Sequence, residues 1–130
     1  MKQTFSKDER LCSHRLISTL FSTGKTFHLK PFRVTWVRQP NEISSLAQVI
    51  MSVPKYNFHH AVDRNLIRRR MKEAYRLNKQ SFYDQLSVSG HRIVFCITYT
   101  SKEIVNFDLV QAKINLLLQR LIEENEKVTG

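Results

Sequence analysis

Residues 53–79 read VPKYNFHHAVDRNLIRRRMKEAYRLNK, and two periodicities are superimposed in them. Ile67, Met71 and Ala74 recur at i, i+4 and i+7, the spacing of a buried helical seam. Arg64, Arg68 and Lys72 recur at i, i+4 and i+8, and Asn65, Arg69, Lys72 and Arg76 run beside them. At about 100° per residue these rows merge into one broad basic face, turned away from the seam. The stretch holds eight Lys and Arg (55, 64, 68, 69, 70, 72, 76 and 79) against two acids, Asp63 and Glu73. Like charges at i, i+4 repel by about 0.2–0.5 kcal/mol per pair. A helix that needed only solubility would mix signs, so this one predicts a negatively charged counter-surface. Arg outnumbers Lys along it, which favours bidentate contacts to phosphate. Asn57 is a candidate N-cap, and the helix is expected from about residue 57 or 59 to Asn78.

Working outward, Pro54 ends a strand over Leu46–Val53, LAQVIMSV, whose nearly continuous apolar character predicts an interior position in a sheet. Phe32–Arg38 has the β-branched and aromatic content of another strand, with Val34 and Trp36 on one face and Arg33, Thr35 and Val37 on the other. Gln39-Pro40-Asn41 between them is turn chemistry, so the two are expected to pair as a hairpin. A short strand is placed at Lys25–Leu29. Upstream, Ser6-Lys7-Asp8-Glu9 reads as a capping box. Leu16, Ile17, Leu20 and Phe21 follow at helical spacing, which predicts a first helix over about 7–22 closed by Gly24 in the left-handed conformation. Downstream, Ser87-Val88-Ser89-Gly90 is read as a turn and Arg92–Tyr99, RIVFCITY, as a strand apolar on both faces. Asn106 or Asp108 can cap a last helix to about Glu124, with the seam Val110, Ile114, Leu117 and Leu121. The order α-β-β-β-α-β-α predicts an α+β fold. We expect one domain over residues 1–130 with a single four-stranded mixed sheet, helices packed on it, and frayed ends at about 1–5 and 125–130.

Bulk properties narrow the function. The chain has 130 residues, 42% hydrophobic, with a formal charge of +10 and a pI near 10. That length suits one domain with its own core, and the charge points to nucleic acid before an acidic membrane surface. No apolar run approaches the roughly 18 residues of a membrane span, and no secretory signal is visible. Cys12 and Cys96 lie far apart with no C-x-x-C, which disfavours structural zinc. The acids form no spaced cluster for two-metal phosphodiester chemistry. His59 and His60 are adjacent, so on a helix they diverge and cannot share a substrate as acid and base. Glycine occurs only at 24, 90 and 130, which leaves no phosphate loop and no nucleophile elbow. Taken alone, the chain reads as an RNA binder rather than a catalyst.

The run Ser52-Val53-Pro54-Lys55, then Ala61-Val62-Asp63-Arg64-Asn65-Leu66-Ile67-Arg68-Arg69-Arg70-Met71-Lys72-Glu73-Ala74-Tyr75-Arg76, resembles the signature of the bacterial ribonuclease P protein subunit. That family carries a strand ending in a Ser–Lys turn, then Ala-Val, one residue, Arg-Asn-Arg and a basic helix. Phe5, Arg10-Leu11, Phe21 and Gly24 match its opening helix, so the likeness runs from about Phe5 to Leu121. There are departures. Leu66 stands at the third position of Arg-Asn-Arg, Tyr56-Asn57-Phe58 replaces a turn that often holds glycine, and Ile17 and Thr35 stand where Phe and Tyr are common.

The resemblance implies a division of labour. The family's RNA subunit carries the catalytic Mg2+ ions and cuts the 5′ leader from precursor tRNA. The protein binds no cofactor by itself and is inactive alone. Its implied partners are the RNA subunit and precursor tRNA, in the cytoplasm, with neither a membrane nor a small-molecule substrate. Lys55, Arg64, Asn65, Arg68, Arg69, Lys72 and Arg76 would dock on the RNA subunit. Ile17, Phe21, Arg33, Thr35 and Val37 would line a cleft for the leader. The resemblance also implies a left-handed strand–helix–strand crossover around the basic helix, against the usual right-handed rule. An architectural or ribosomal RNA-binding protein is the alternative reading. A DNA-binding regulator would need a helix-turn-helix pair, and the basic helix is preceded by a strand and turn instead.

Overall fold

The structure is a computed structural model, and it describes residues 5–38 and 45–128. A single 3-10 turn, Lys7–Glu9, precedes helix α1, His14–Thr23. Strands β1, Lys25–Leu29, β2, Phe32–Arg38, and β3, Ala47–Ser52, lead to the long helix α2, Ala61–Ser89. Strand β4, Ile93–Tyr99, and helix α3, Phe107–Lys127, complete the chain.

The four strands form one mixed sheet in the order β1-β2-β4-β3. β1 and β4 both pair antiparallel with β2, while β3 runs parallel to β4. The hairpin expected between Phe32–Arg38 and Leu46–Val53 therefore does not form. β4 lies between them because every one of its seven residues is buried, as a strand covered on both faces must be. β3 alternates between buried and half-buried and takes an edge, not the interior position its apolar run suggested. Its outer edge is covered by the N-terminal segment, where Leu11 donates its N–H to the Val49 carbonyl and Arg10 bridges to Val49. The proposed turn at Gln39-Pro40-Asn41 lies outside the described residues. The β3–α2–β4 unit is the crossover that the resemblance singles out.

One sheet face carries the main core. Phe27, Phe32, Val34, Trp36, Ala47, Val49, Met51, Ile93, Phe95, Ile97 and Tyr99 meet the seams of α2 and α3 there. Ile67, Met71 and Ala74 are buried as the periodicity predicts, and so are Val110, Ile114, Leu117 and Leu121. On the opposite face Leu11, Leu16 and Leu20 cover Val94 and Cys96, so α1 shields only part of the sheet.

The helix ends differ from expectation. The Ser6–Glu9 signal makes one turn only, with the Ser6 N–H donating to Glu9 Oε2 at 2.6 Å. The helix proper begins seven residues later, where Ser13 Oγ accepts the Leu16 N–H. Gly24 is not left-handed: it is extended, with φ −71° and ψ 156°. Glycine is needed there for space, since a Cβ would lie 2.3 Å from the Leu20 carbonyl oxygen. Gly24→Ala should lower stability by about 1–3 kcal/mol, read as a lower urea midpoint. Asn57 does not cap α2; His60 holds that position without a side-chain bond. The helix also runs through the expected turn at 87–89 and stops at Gly90, whose φ of 76° is the left-handed cap. α3 starts as expected at Asn106, whose Oδ1 accepts the Leu109 N–H at 2.9 Å. It continues past Glu124 to Lys127, and Asn125, placed by the sequence reading in a frayed tail, is 1% exposed. Arg38 at the end of β2 holds it there, donating to Asn125 Oδ1, the Asn125 carbonyl and the Val128 carbonyl at 2.7–2.8 Å.

A charged network that no local pattern foretold ties the N-terminal segment to α2. Lys79, one of the eight cations of the opening stretch, points inward and pairs with Glu9. Tyr83 donates to the same carboxylate oxygen at 2.7 Å, and the Tyr75 hydroxyl donates to Tyr83 at 3.3 Å. Burial pushes the Tyr83 phenol well up, with Tyr75 and Glu9 adding to it, so it stays protonated and keeps its donor role.

Candidate nucleic-acid interface

The outer face of α2 presents Asn65, Arg69 and Lys72 to solvent, with Lys55 exposed in the turn ahead of it. Arg64, Arg68 and Arg76 are half-buried along the flanks. Their partners separate structural cations from available ones. Arg64 Nη1 donates to the carbonyls of Phe58 and His59 at 2.8 and 2.9 Å, fastening the turn before the helix. Arg70, adjacent in sequence to the basic rows, donates to the Val105 carbonyl and anchors the approach to α3. Arg76 is paired with Glu73 through Nε and Nη2, which donate to the two carboxylate oxygens. That pairing holds the Glu73 carboxyl below its ordinary value. Arg68 donates to Asn65 Oδ1 at 3.0 Å, which orients both side chains on one exposed stripe.

Beside this stripe lies a concavity of about 130 Å³ between the N-terminal segment, β3 and α2. Arg10, Arg68 and Lys72 line it together with apolar residues, and no acid is among the lining side chains. Arg10 reaches it from the N-terminal segment, stacked over the Phe5 ring at 5.4 Å. Sequence reasoning missed Arg10, because the covering of the β3 edge that brings it there is a long-range contact.

The second candidate surface is the sheet face that α1 leaves partly uncovered. Register places His28, Arg33, Thr98 and Ser52 in one row across the four strands, and Thr26, Thr35, Cys96 and Ile50 in the next. Phe21 on α1 is 58% exposed, so it is not a core residue. Ile17 packs half-buried against the cluster of Leu11, Leu16 and Leu20. Thr35 is buried, its hydroxyl bonded to Thr26 at 3.2 Å, while Arg33 and Val37 are half-buried. The alternation of β2 thus puts Arg33, Thr35 and Val37 on one face, though Thr35 presents little surface. His28 and Ser52 join the polar row through pairing alone, a relation that single-strand patterns do not carry.

Among the described residues no three His, Cys, Asp or Glu side chains converge to hold a metal ion, and no helix is long and apolar enough to cross a membrane. Burial pushes the Cys96 thiol up, which leaves it a core hydrophobe.

A basic helix flanking a half-open sheet is an arrangement found in known proteins. The sequence profile of the family Ribonuclease P matches residues 5–122. The chain belongs to the ribonuclease P protein family. The ribonuclease P protein component of Porphyromonas gingivalis is 33% identical over 116 residues, covering 89% of this chain and 85% of that one. That of Chlorobium phaeobacteroides is 32% identical over 125 residues, covering 88% and 86%. Among solved structures, the RNase P protein from Thermotoga maritima superposes with a TM-score of 0.66 at 24% identity, covering 94% of this chain and 99% of that one. A Staphylococcus aureus RNase P protein mutant gives 0.71 at 18% identity, covering 88% and 89%. These likenesses show a shared fold, with the same succession of three helices and one four-stranded mixed sheet.

Proposed function

We propose that this chain is the protein subunit of ribonuclease P and assists removal of the 5′ leader from precursor tRNA. The observation that carries the reading is the α2 stripe, where Asn65 of the Arg64-Asn65 signature pair faces solvent together with Arg69 and Lys72. Arg68, Arg69 and Lys72 would neutralise phosphates of the folded RNA subunit, with Lys55 and Arg76 at the margins. Arg64 supports them by holding the turn. Asn65, oriented by Arg68, can donate and accept a hydrogen bond.

The leader would lie on the half-open sheet face. Phe21 offers a stacking surface there and Arg33 a cation, while Ile17, Thr35 and Val37 shape the floor. The chain would act as one RNA-binding domain in the cytoplasm. Mg2+ would be held by the RNA subunit. The protein's part is to position the substrate and offset phosphate repulsion, which lowers the Mg2+ that cleavage requires.

The test is cleavage of a precursor tRNA by RNA subunit transcribed from the same genome, with and without this protein, at low Mg2+. Cleavage should be accelerated by the protein with the RNA and absent with the protein alone. No acceleration at any Mg2+ concentration would sink the assignment. Co-purification with ribosomes and no effect on tRNA maturation would favour an architectural RNA-binding role.

A further inference from the structure

We propose that Tyr56 is a base-stacking residue, which receives an unpaired nucleobase of the RNA at the head of α2. The inference rests on the proposed docking of α2 on the RNA subunit. It concerns a residue outside the basic rows, in the turn where this chain departs from its family's usual pattern.

The turn is held from both ends. Asn57 N–H donates to the Pro54 carbonyl at 3.3 Å. Phe58 is buried, with its ring against Tyr99 at 5.9 Å between centroids. Arg64 fastens the Phe58 and His59 carbonyls from the helix side. Tyr56 stands between these anchors with 76% of its surface exposed, and it makes no hydrogen bond or ring contact among the described residues. A flexible loop would lose much of a ring's binding energy in ordering itself, whereas this backbone is already ordered.

A single exposed apolar side chain is ordinary and needs no explanation. Here the surroundings give it one. Lys55 before it and His59 and His60 after it in the sequence are exposed, and no acid occurs from Val53 to Val62. An exposed aromatic face next to a lysine and away from acids is the chemistry that takes a base between its flanking phosphates. A paired A-form helix hides its base faces, so the partner is an unpaired base in a loop, bulge or single strand.

Binding of the RNA subunit should be measured over a salt series for wild type, Tyr56→Ala and Tyr56→Phe. Loss of one stacked base should weaken Tyr56→Ala by roughly 5- to 150-fold, and Tyr56→Phe should stay within about twofold of wild type. The slope of log affinity against log salt should not change, because no phosphate contact is lost. Thermal melting of the free proteins should be little changed, since the ring is largely exposed and makes no hydrogen bond or ring contact among the described residues. Wild-type binding by Tyr56→Ala would overturn the stacking proposal alone. A Phe variant as weak as the Ala variant would also overturn it, by assigning the contact to the hydroxyl. Failure of the wild-type protein to bind the RNA would overturn both this proposal and the docking on which it rests.

Discussion

Glu9→Ala should destabilise the protein by about 3–5 kcal/mol, the cost of breaking a buried ion pair from one side. The variant leaves the Lys79 ammonium buried without its counter-charge, while Tyr83 loses the acceptor for its hydroxyl. Urea denaturation should show a much lower midpoint, and a loss below about 1 kcal/mol would mean that Lys79 escapes to solvent. The same group sets an acid limit. Burial alone would raise the Glu9 pKa, but bonds from Lys79, the Ser6 N–H and Tyr83, with the Lys79 charge, hold it below its ordinary value of 4.5. A carboxyl depressed in the folded state contributes stability that is fully present above its unfolded pKa. That contribution is lost as pH falls through the folded value. Wild type should therefore lose its advantage over Glu9→Gln as the pH drops below about 4.5, and an advantage independent of pH would contradict the role given to the carboxylate.

The second large effect concerns RNA. Arg69→Ala combined with Lys72→Ala removes two exposed cations of the α2 stripe. Each phosphate contact contributes about 0.7–0.9 to the salt slope, so the slope should fall by about 1.4–1.8 and affinity near 0.15 M salt by roughly 15- to 30-fold. Arg76→Ala is the control. Its guanidinium already faces Glu73, so it should change the slope less than either exposed cation does. An unchanged slope in the double variant would place the RNA elsewhere on the protein.

These two predictions draw on different levels of information. The α2 stripe was legible in the sequence because a helix turns by a fixed angle, so spacing alone sorts Ile67, Met71 and Ala74 from Asn65, Arg69 and Lys72. The Glu9–Lys79 pair was not legible. Lys79 falls on the basic side of the helical wheel, and only the arrival of Glu9 from 70 residues away turns that position into interior. The expected β2–β3 hairpin failed for the same reason. Closeness in sequence suggested that β2 and β3 pair, yet pairing is decided by which strand can be buried on both faces, and β4 is that strand. Two serines competed for the start of the first helix. Ser6 has the fuller local signal, but Leu11 is drawn to the edge of β3 and breaks the helix, so Ser13 becomes the cap. In the candidate leader cleft, strand alternation gave the right face for Arg33, Thr35 and Val37. The depth of Thr35 depends on Thr26 and the crossing of Gly24, which alternation does not encode.

The central position of β4 also fixes an order of events during synthesis. A ribosome makes β1 and β2 early, and these can close as a local hairpin while the rest is still being translated. β3 then emerges with no native strand beside it, because β4 comes only at residues 93–99, after the whole of α2. Until then the nascent chain carries an unfinished sheet beside a strongly cationic helix, within reach of the most abundant RNA in the cell. The β3–β4 pairing spans the whole of α2, so it is a long-range contact that closes later than the local β1–β2 hairpin.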